Sequence, residues 1–98
     1  MTKRKVKWSV KAIGQRILIT EWYQTTLDDL AAIHFNRDVN STVDSLVSMP
    51  TIGKIDSKFS TEKRKYYSFV FHKKYAIVYR FTTRTLYILA FRATRMKS

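Results

Sequence analysis

Apolar and polar residues change period three times along this 98-residue chain, and each change marks an element. Val6-Lys-Trp-Ser-Val10 alternates, which predicts a short first strand. From about Lys11 to Gln24 the spacing becomes helical: Ile13 and Ile17 stand four apart, with Ala12, Ile19 and Tyr23 on a neighbouring stripe. Ser9 is placed to cap that helix, and Gly14 within it costs about 1 kcal/mol relative to alanine. Thr25-Thr26 interrupts, and Thr26 with Asp29 resembles a capping box with aspartate in place of glutamate. Ala32, Phe35, Val39, Val43 and Leu46 then follow steps of three and four, a second amphipathic helix running to about Ser48. Asp28 and Asp29 suit its positive end, and Met49-Pro50 stops it.

Pro50 to Lys65 reads as a polar connection containing Gly53, with Ile52, Ile55 and Phe59 expected to anchor it to the core. The last third is strand-like. Tyr66–His72, Tyr75–Phe81 and Leu86–Arg92 are rich in β-branched and aromatic residues, and the linkers Lys73-Lys74 and Thr82-Thr-Arg-Thr85 are short enough for antiparallel hairpins. Neither linker has an Asn-Gly or Asp-Gly signal, so the hairpins rest on run and linker length. The chain is thus expected to be one α+β domain over residues 1–98, ordered β-α-α-β-β-β. Its sheet is small and mainly antiparallel, with a helical hairpin packed on one face. Alternation puts Tyr67, Phe69, Phe71, Ile77, Tyr79 and Phe81 towards the helices. Tyr66, Ser68, Val70, His72, Ala76, Val78 and Arg80 face the opposite, open side, where a functional surface is expected.

Composition narrows the class. No run approaches the roughly 18 apolar residues that span a bilayer, so no membrane partner is expected, and the basic start has no apolar stretch behind it. The chain has no cysteine, which removes disulfides, thiolate nucleophiles and cysteine-ligated zinc, and is compatible with a reducing, cytoplasmic setting. No set of His, Asp and Glu has metal-ligand spacing, so neither a metal nor a cofactor is expected.

Charge adds more. The net charge is +12, and it is segregated. Residues 1–11 hold five bases and no acid, residues 12–53 two bases against five acids, and residues 54–98 twelve bases against two acids. Such asymmetry favours a polyanionic partner, nucleic acid or an acidic protein segment. Lys63-Arg64-Lys65, Lys73-Lys74, Arg84 and Arg95, with Tyr66 as the most exposed aromatic, are the candidates to touch it. His72, beside two lysines, has the chemistry of a general base near neutral pH, and Arg80 and Arg92 could supply cations. His34 reads as a core-edge histidine, and Trp8 and Trp22 as packing.

Several segments carry a family likeness. They are a first strand ending in Trp8-Ser9, two helices, the helix end Leu46-Val-Ser-Met-Pro50-Thr-Ile-Gly53, the strand Tyr75-Ala-Ile-Val-Tyr79 and a closing strand ending near Arg95. The chain resembles the RelE/ParE superfamily of type II toxin–antitoxin toxins, the plasmid-stabilisation type. The resemblance implies a toxin neutralised by a cognate acidic antitoxin that covers its basic surface. Its target would be DNA gyrase, inhibited without catalysis as by ParE-like members, or the ribosome with its messenger RNA, as for RelE-like endoribonucleases. A non-toxic RNA-binding module is a third reading. RelE-like nucleases usually place an arginine where this chain has Ala76, lysines where it has Ser68 and Val70, and in some cases a histidine near Thr94. What is left for nuclease chemistry is His72, Arg80, Arg92 and Arg95, which tilts the expectation towards the gyrase inhibitor.

Overall fold

The computed structural model describes residues 3–58, 60–71 and 74–93. Strand β1 (Lys5–Trp8) leads into helices α1 (Val10–Thr26) and α2 (Asp29–Ser48). A 3-10 turn at Pro50–Ile52 follows, then β2 (Lys54–Ile55), β3 (Tyr67–Phe71), β4 (Tyr75–Phe81) and β5 (Thr85–Ala93). The five strands form one sheet in the order β1-β5-β4-β3-β2, antiparallel except where β1 runs parallel to β5. The expected α+β order holds, with one addition: the polar connection contributes β2, a two-residue edge strand too short to show a period.

Both helix starts are capped by side chains. The Ser9 hydroxyl accepts from the Ala12 amide at 2.9 Å, as expected. For α2 the cap is Asp28, whose Oδ1 accepts from the Ala31 amide at 2.8 Å, rather than Thr26. Aspartate reaches the free amides of a first turn as well as threonine does and adds a charge at the positive helix end.

The core lies between the hairpin and one sheet face. Tyr67, Phe69, Phe71, Ile77, Tyr79 and Phe81 all point into it, with Leu86, Ile88 and Phe91 from β5. Phe35 of α2 sits at its centre, with ring centroids 5.2 to 6.4 Å from those of Tyr23, Phe71, Tyr75 and Phe91. On α1 the inner stripe is Ala12, Ile19 and Tyr23, whereas Ile13 and Ile17 stay 47% and 52% exposed. That helix is apolar on two sides, so spacing alone did not select the side that packs. His34 is exposed rather than at the core edge, because one residue before Phe35 turns it about 100° from the packed stripe. Trp8 packs as expected, its ring centroid 6.0 Å from that of Phe91, while Trp22 is 46% exposed and meets Tyr23 edge-on, the ring centroids 5.2 Å apart. Ile52 and Ile55 do not anchor the connection. Both are exposed, and Pro50 and Asp56 are the residues buried there; Phe59 lies outside the described residues.

One irregularity joins the layers. Between Val78 and Tyr79 the register slips, so that Val78 faces Ala90 but Tyr79 faces Ile88, leaving Leu89 as the extra residue of a bulge. The freed Leu89 carbonyl accepts from the Ser9 hydroxyl at 2.7 Å. Beyond the end of β1, the Phe91 amide donates to Gln15 Oε1 of α1 at 2.7 Å. Helix α1 is therefore tied to β5 by hydrogen bonds as well as by apolar contact.

The two segments that carried the family likeness meet inside the molecule. Tyr79, fully buried, donates its hydroxyl to the Pro50 carbonyl at 2.5 Å and accepts from the Gly53 amide at 3.2 Å. Gly53 must be glycine for lack of room: a Cβ there would strike the Tyr79 hydroxyl and lie 2.7 Å from the Ser68 carbonyl oxygen.

Candidate functional site

The second sheet face is defined by the register. Lys54, Ser68 and Val70 lie on it, followed by Ala76, Val78 and Arg80 of β4, Thr85, Tyr87, Ala90 and Arg92 of β5, and Lys5 and Lys7 of β1. Its centre is not bare. Ala76 and Val78 are 0% exposed, flanked across the strands by Val70 and Arg92 and by Ser68 and Ala90. Arg92 is committed: its Nη1 lies 2.6 Å from Oδ2 of Asp56, whose side chain is buried. Asp56 Oδ1 also accepts from the Lys58 amide at 3.0 Å, so the chain after β2 is pinned to β5 through one carboxylate. The uncovered cations of this face are thus Lys54, at its edge, and a group at the end of the sheet near the β4–β5 turn.

At that end, Lys7 and Arg80 stand opposite Tyr87 on its two sides, and Lys5 stands opposite Thr85. The Arg80 guanidinium lies 3.9 Å from the Tyr87 ring centroid, a stacked pair. Arg84 sits in the turn, which is closed by Thr82 rather than by glycine. The Thr82 hydroxyl accepts from the amides of Arg84 and Thr85 at 3.2 and 3.0 Å. Lys3, Lys5, Thr83, Arg84 and Thr85 line a concavity of about 450 Å³ there. The chain enters β3 at this same end, since Tyr67 pairs with Tyr79, so exposed Lys63, Arg64 and Lys65 lead into it. Tyr66 is half-buried and held by its backbone, its carbonyl accepting from the Asp56 amide at 2.7 Å and its amide donating to Ser60 Oγ at 2.9 Å.

The other candidates do not join. Lys74 belongs to the opposite end, with Nζ 6.0 Å from the Trp22 ring centroid on the helix side, because the β3–β4 turn lies a full strand length away. His72, Lys73 and Arg95 lie outside the described residues. Two further bases are structural. Arg4 donates to the carbonyls of Thr82 and Val47 at 2.7 and 3.1 Å. Arg16 donates to Asn36 and Asn40 at 2.7 and 2.9 Å, and burial lowers its pKa from the ordinary value. Sequence reading missed Lys5 and Lys7, although the alternation that sends Val6 and Trp8 inward sends these two outward.

The hairpin has its own exposed feature. Val10, Ile13, Ile17, Leu18 and Trp22 of α1, with Leu30 and Ile33 of α2, form apolar surface left uncovered by the sheet. Among the described residues no cluster of His, Asp and Glu could hold a metal, and no helix is long and apolar enough to cross a membrane.

The fold matches a solved structure described as a chromosomal ParDE toxin–antitoxin system from P. aeruginosa, with a TM-score of 0.76 at 15% identity over 94% of this chain and 97% of that one. That likeness defines the fold, two helices on a five-stranded, mostly antiparallel sheet. The model of the ParE toxin of type II toxin–antitoxin systems matches residues 6–97, and the chain belongs to that family. No curated protein matches it.

Proposed function

We propose that this toxin arrests growth by binding DNA gyrase without cutting nucleic acid, and that a cognate antitoxin neutralises it in the cytoplasm. The observation that carries the reading is the state of the nuclease positions. Cleavage through a 2′-hydroxyl needs a base, an acid and cations aimed at the developing phosphorane. Where RelE-like nucleases usually hold an arginine, this chain has Ala76, buried and without a polar group. Arg92, beside it, already neutralises Asp56, and Arg80 stands a strand end away from Ala76, four residues along β4. A binding toxin needs none of these groups to be catalytic.

The antitoxin reading is supported by family membership and by the apolar surface of the hairpin, which is the sort of surface that marks a protein interface. An antitoxin segment with matching apolar residues would cover α1 and leave the cationic end of the sheet on the far side. The test is expression of the chain in cells with and without its partner gene, with primer extension on cellular messages. Growth arrest reversed by the partner, with no new message ends, is the expected result. Codon-positioned cuts in translated messages would replace the gyrase reading by the nuclease one.

A further inference from the structure

Among the described residues, the strands and the β4–β5 turn at the cationic end of the sheet carry no acid. Among the described residues Lys5, Lys7, Arg80 and Arg84 make no ion pair, and Asp56, on the same face, is taken by Arg92. Lys5 and Lys7 are exposed, and their Cα atoms stand about 7 Å apart along the strand. The row Lys7–Tyr87–Arg80 crosses three strands, so the two charges are separated by about 10 Å at the backbone. Thr83 and Thr85 add hydroxyl groups to the same concavity.

Two features decide what such a surface fits. A single-strand binder stacks bases on free aromatic faces, but the Tyr87 ring here is already occupied by the Arg80 guanidinium. An acidic peptide anchors through apolar side chains beside its charges, but most of the exposed apolar residues lie on the helices, and Val70, the exposed one on this face, sits at the far end of β3 from these cations. Separated cations interspersed with hydroxyls, on a rigid sheet, suit the regularly spaced phosphates of a duplex. We infer that the end of the sheet carrying Lys5, Lys7, Arg80 and Arg84 binds the sugar-phosphate backbone of double-stranded DNA, so that the toxin grips DNA held by its target enzyme. This deepens the gyrase reading and rests on it for its setting.

The test is fluorescence anisotropy of the purified chain with a labelled duplex of about 20 base pairs across a salt series. Four phosphate contacts give a slope of log K against log salt of about −3.6, roughly a 100-fold loss of affinity between about 50 and 200 mM salt. Lys5→Ala/Lys7→Ala should make the slope shallower by about 2 and weaken binding at low salt at least about tenfold. Lys11→Ala/Arg37→Ala removes the same charge from the helices and should stay within about twofold of the parent. Equal losses in the two double variants, an unchanged slope in the first, or tighter binding of a single strand than of the duplex would overturn the inference. Gyrase inhibition by a chain that binds no duplex sinks this inference and leaves the target reading standing. Duplex binding with gyrase unaffected keeps the DNA-binding end and removes the target reading.

Discussion

Tyr79→Phe separates the contribution of one hydroxyl from everything around it. The ring is fully buried, and its oxygen is bonded on both sides, to the Pro50 carbonyl at 2.5 Å and the Gly53 amide at 3.2 Å. Phenylalanine keeps the packing and leaves both backbone groups without that partner. An unsatisfied buried polar group costs about 1–3 kcal/mol, so a loss of about 2 kcal/mol is expected near neutral pH. For a domain of this size that lowers the melting midpoint by roughly 8–16 °C. The same hydroxyl predicts a pH signature. Burial, reinforced by Tyr67 and opposed by the Gly53 amide, pushes the Tyr79 phenol up to about 12, against an ordinary value of 10.0. Above pH 10 the unfolded chain releases this proton while the folded chain keeps it. The stabilisation is therefore complete below about 10 and lost as pH rises through about 12, roughly 2–3 kcal/mol in all. Urea unfolding of both proteins from about pH 8 to 12 reads this directly. The gap between parent and variant should start near 2 kcal/mol and shrink towards zero. A gap that stays constant with pH, or one under about 0.5 kcal/mol at neutrality, would refute the role given to the hydroxyl.

Gly53→Ala places a methyl group against the Tyr79 hydroxyl and the Ser68 carbonyl, and should cost about 1–3 kcal/mol by chemical unfolding even though the backbone angles at that position suit alanine. Arg92→Ala strips a buried carboxylate of its partner and should destabilise by about 2–3 kcal/mol, with Arg92→Ala/Asp56→Ala recovering part of that loss; growth assays on the single variant must be corrected for folding. Leu18→Glu, at a site 66% exposed, should leave the unfolding midpoint unchanged and weaken antitoxin capture at least about tenfold in a titration; full capture would remove the hairpin as the docking face.

Elements were legible in the sequence where the period was clean. The α2 stripe Ala32, Phe35, Val39, Val43 and Leu46 is buried as spaced, and β4 spans Tyr75–Phe81 as read. The side on which α1 packs was not legible, because apolar residues occupy two of its sides and only the fold chooses Ala12 and Tyr23 over Ile13 and Ile17. Strand β2 escaped notice because two residues carry no periodic signal. For the site, the cations of residues 54–98 were visible as charge, but pairing depends on chain reversal. Nothing local links Asp56 to Arg92, thirty-six positions apart, so an arginine expected to be free for chemistry is held in an ion pair. The likeness carried by Leu46–Gly53 and Tyr75–Tyr79 has a physical basis in the shared hydroxyl that bonds one segment to the other.

The claim that this ParE-family chain acts by binding rather than by cutting is tested most directly in a gyrase supercoiling reaction. Purified toxin is titrated against the enzyme and relaxed plasmid, beside a translation extract programmed with a defined message. Loss of supercoiling at toxin levels comparable to the enzyme, with the message intact, is the predicted result. Full supercoiling together with site-specific cleavage of the message would contradict it.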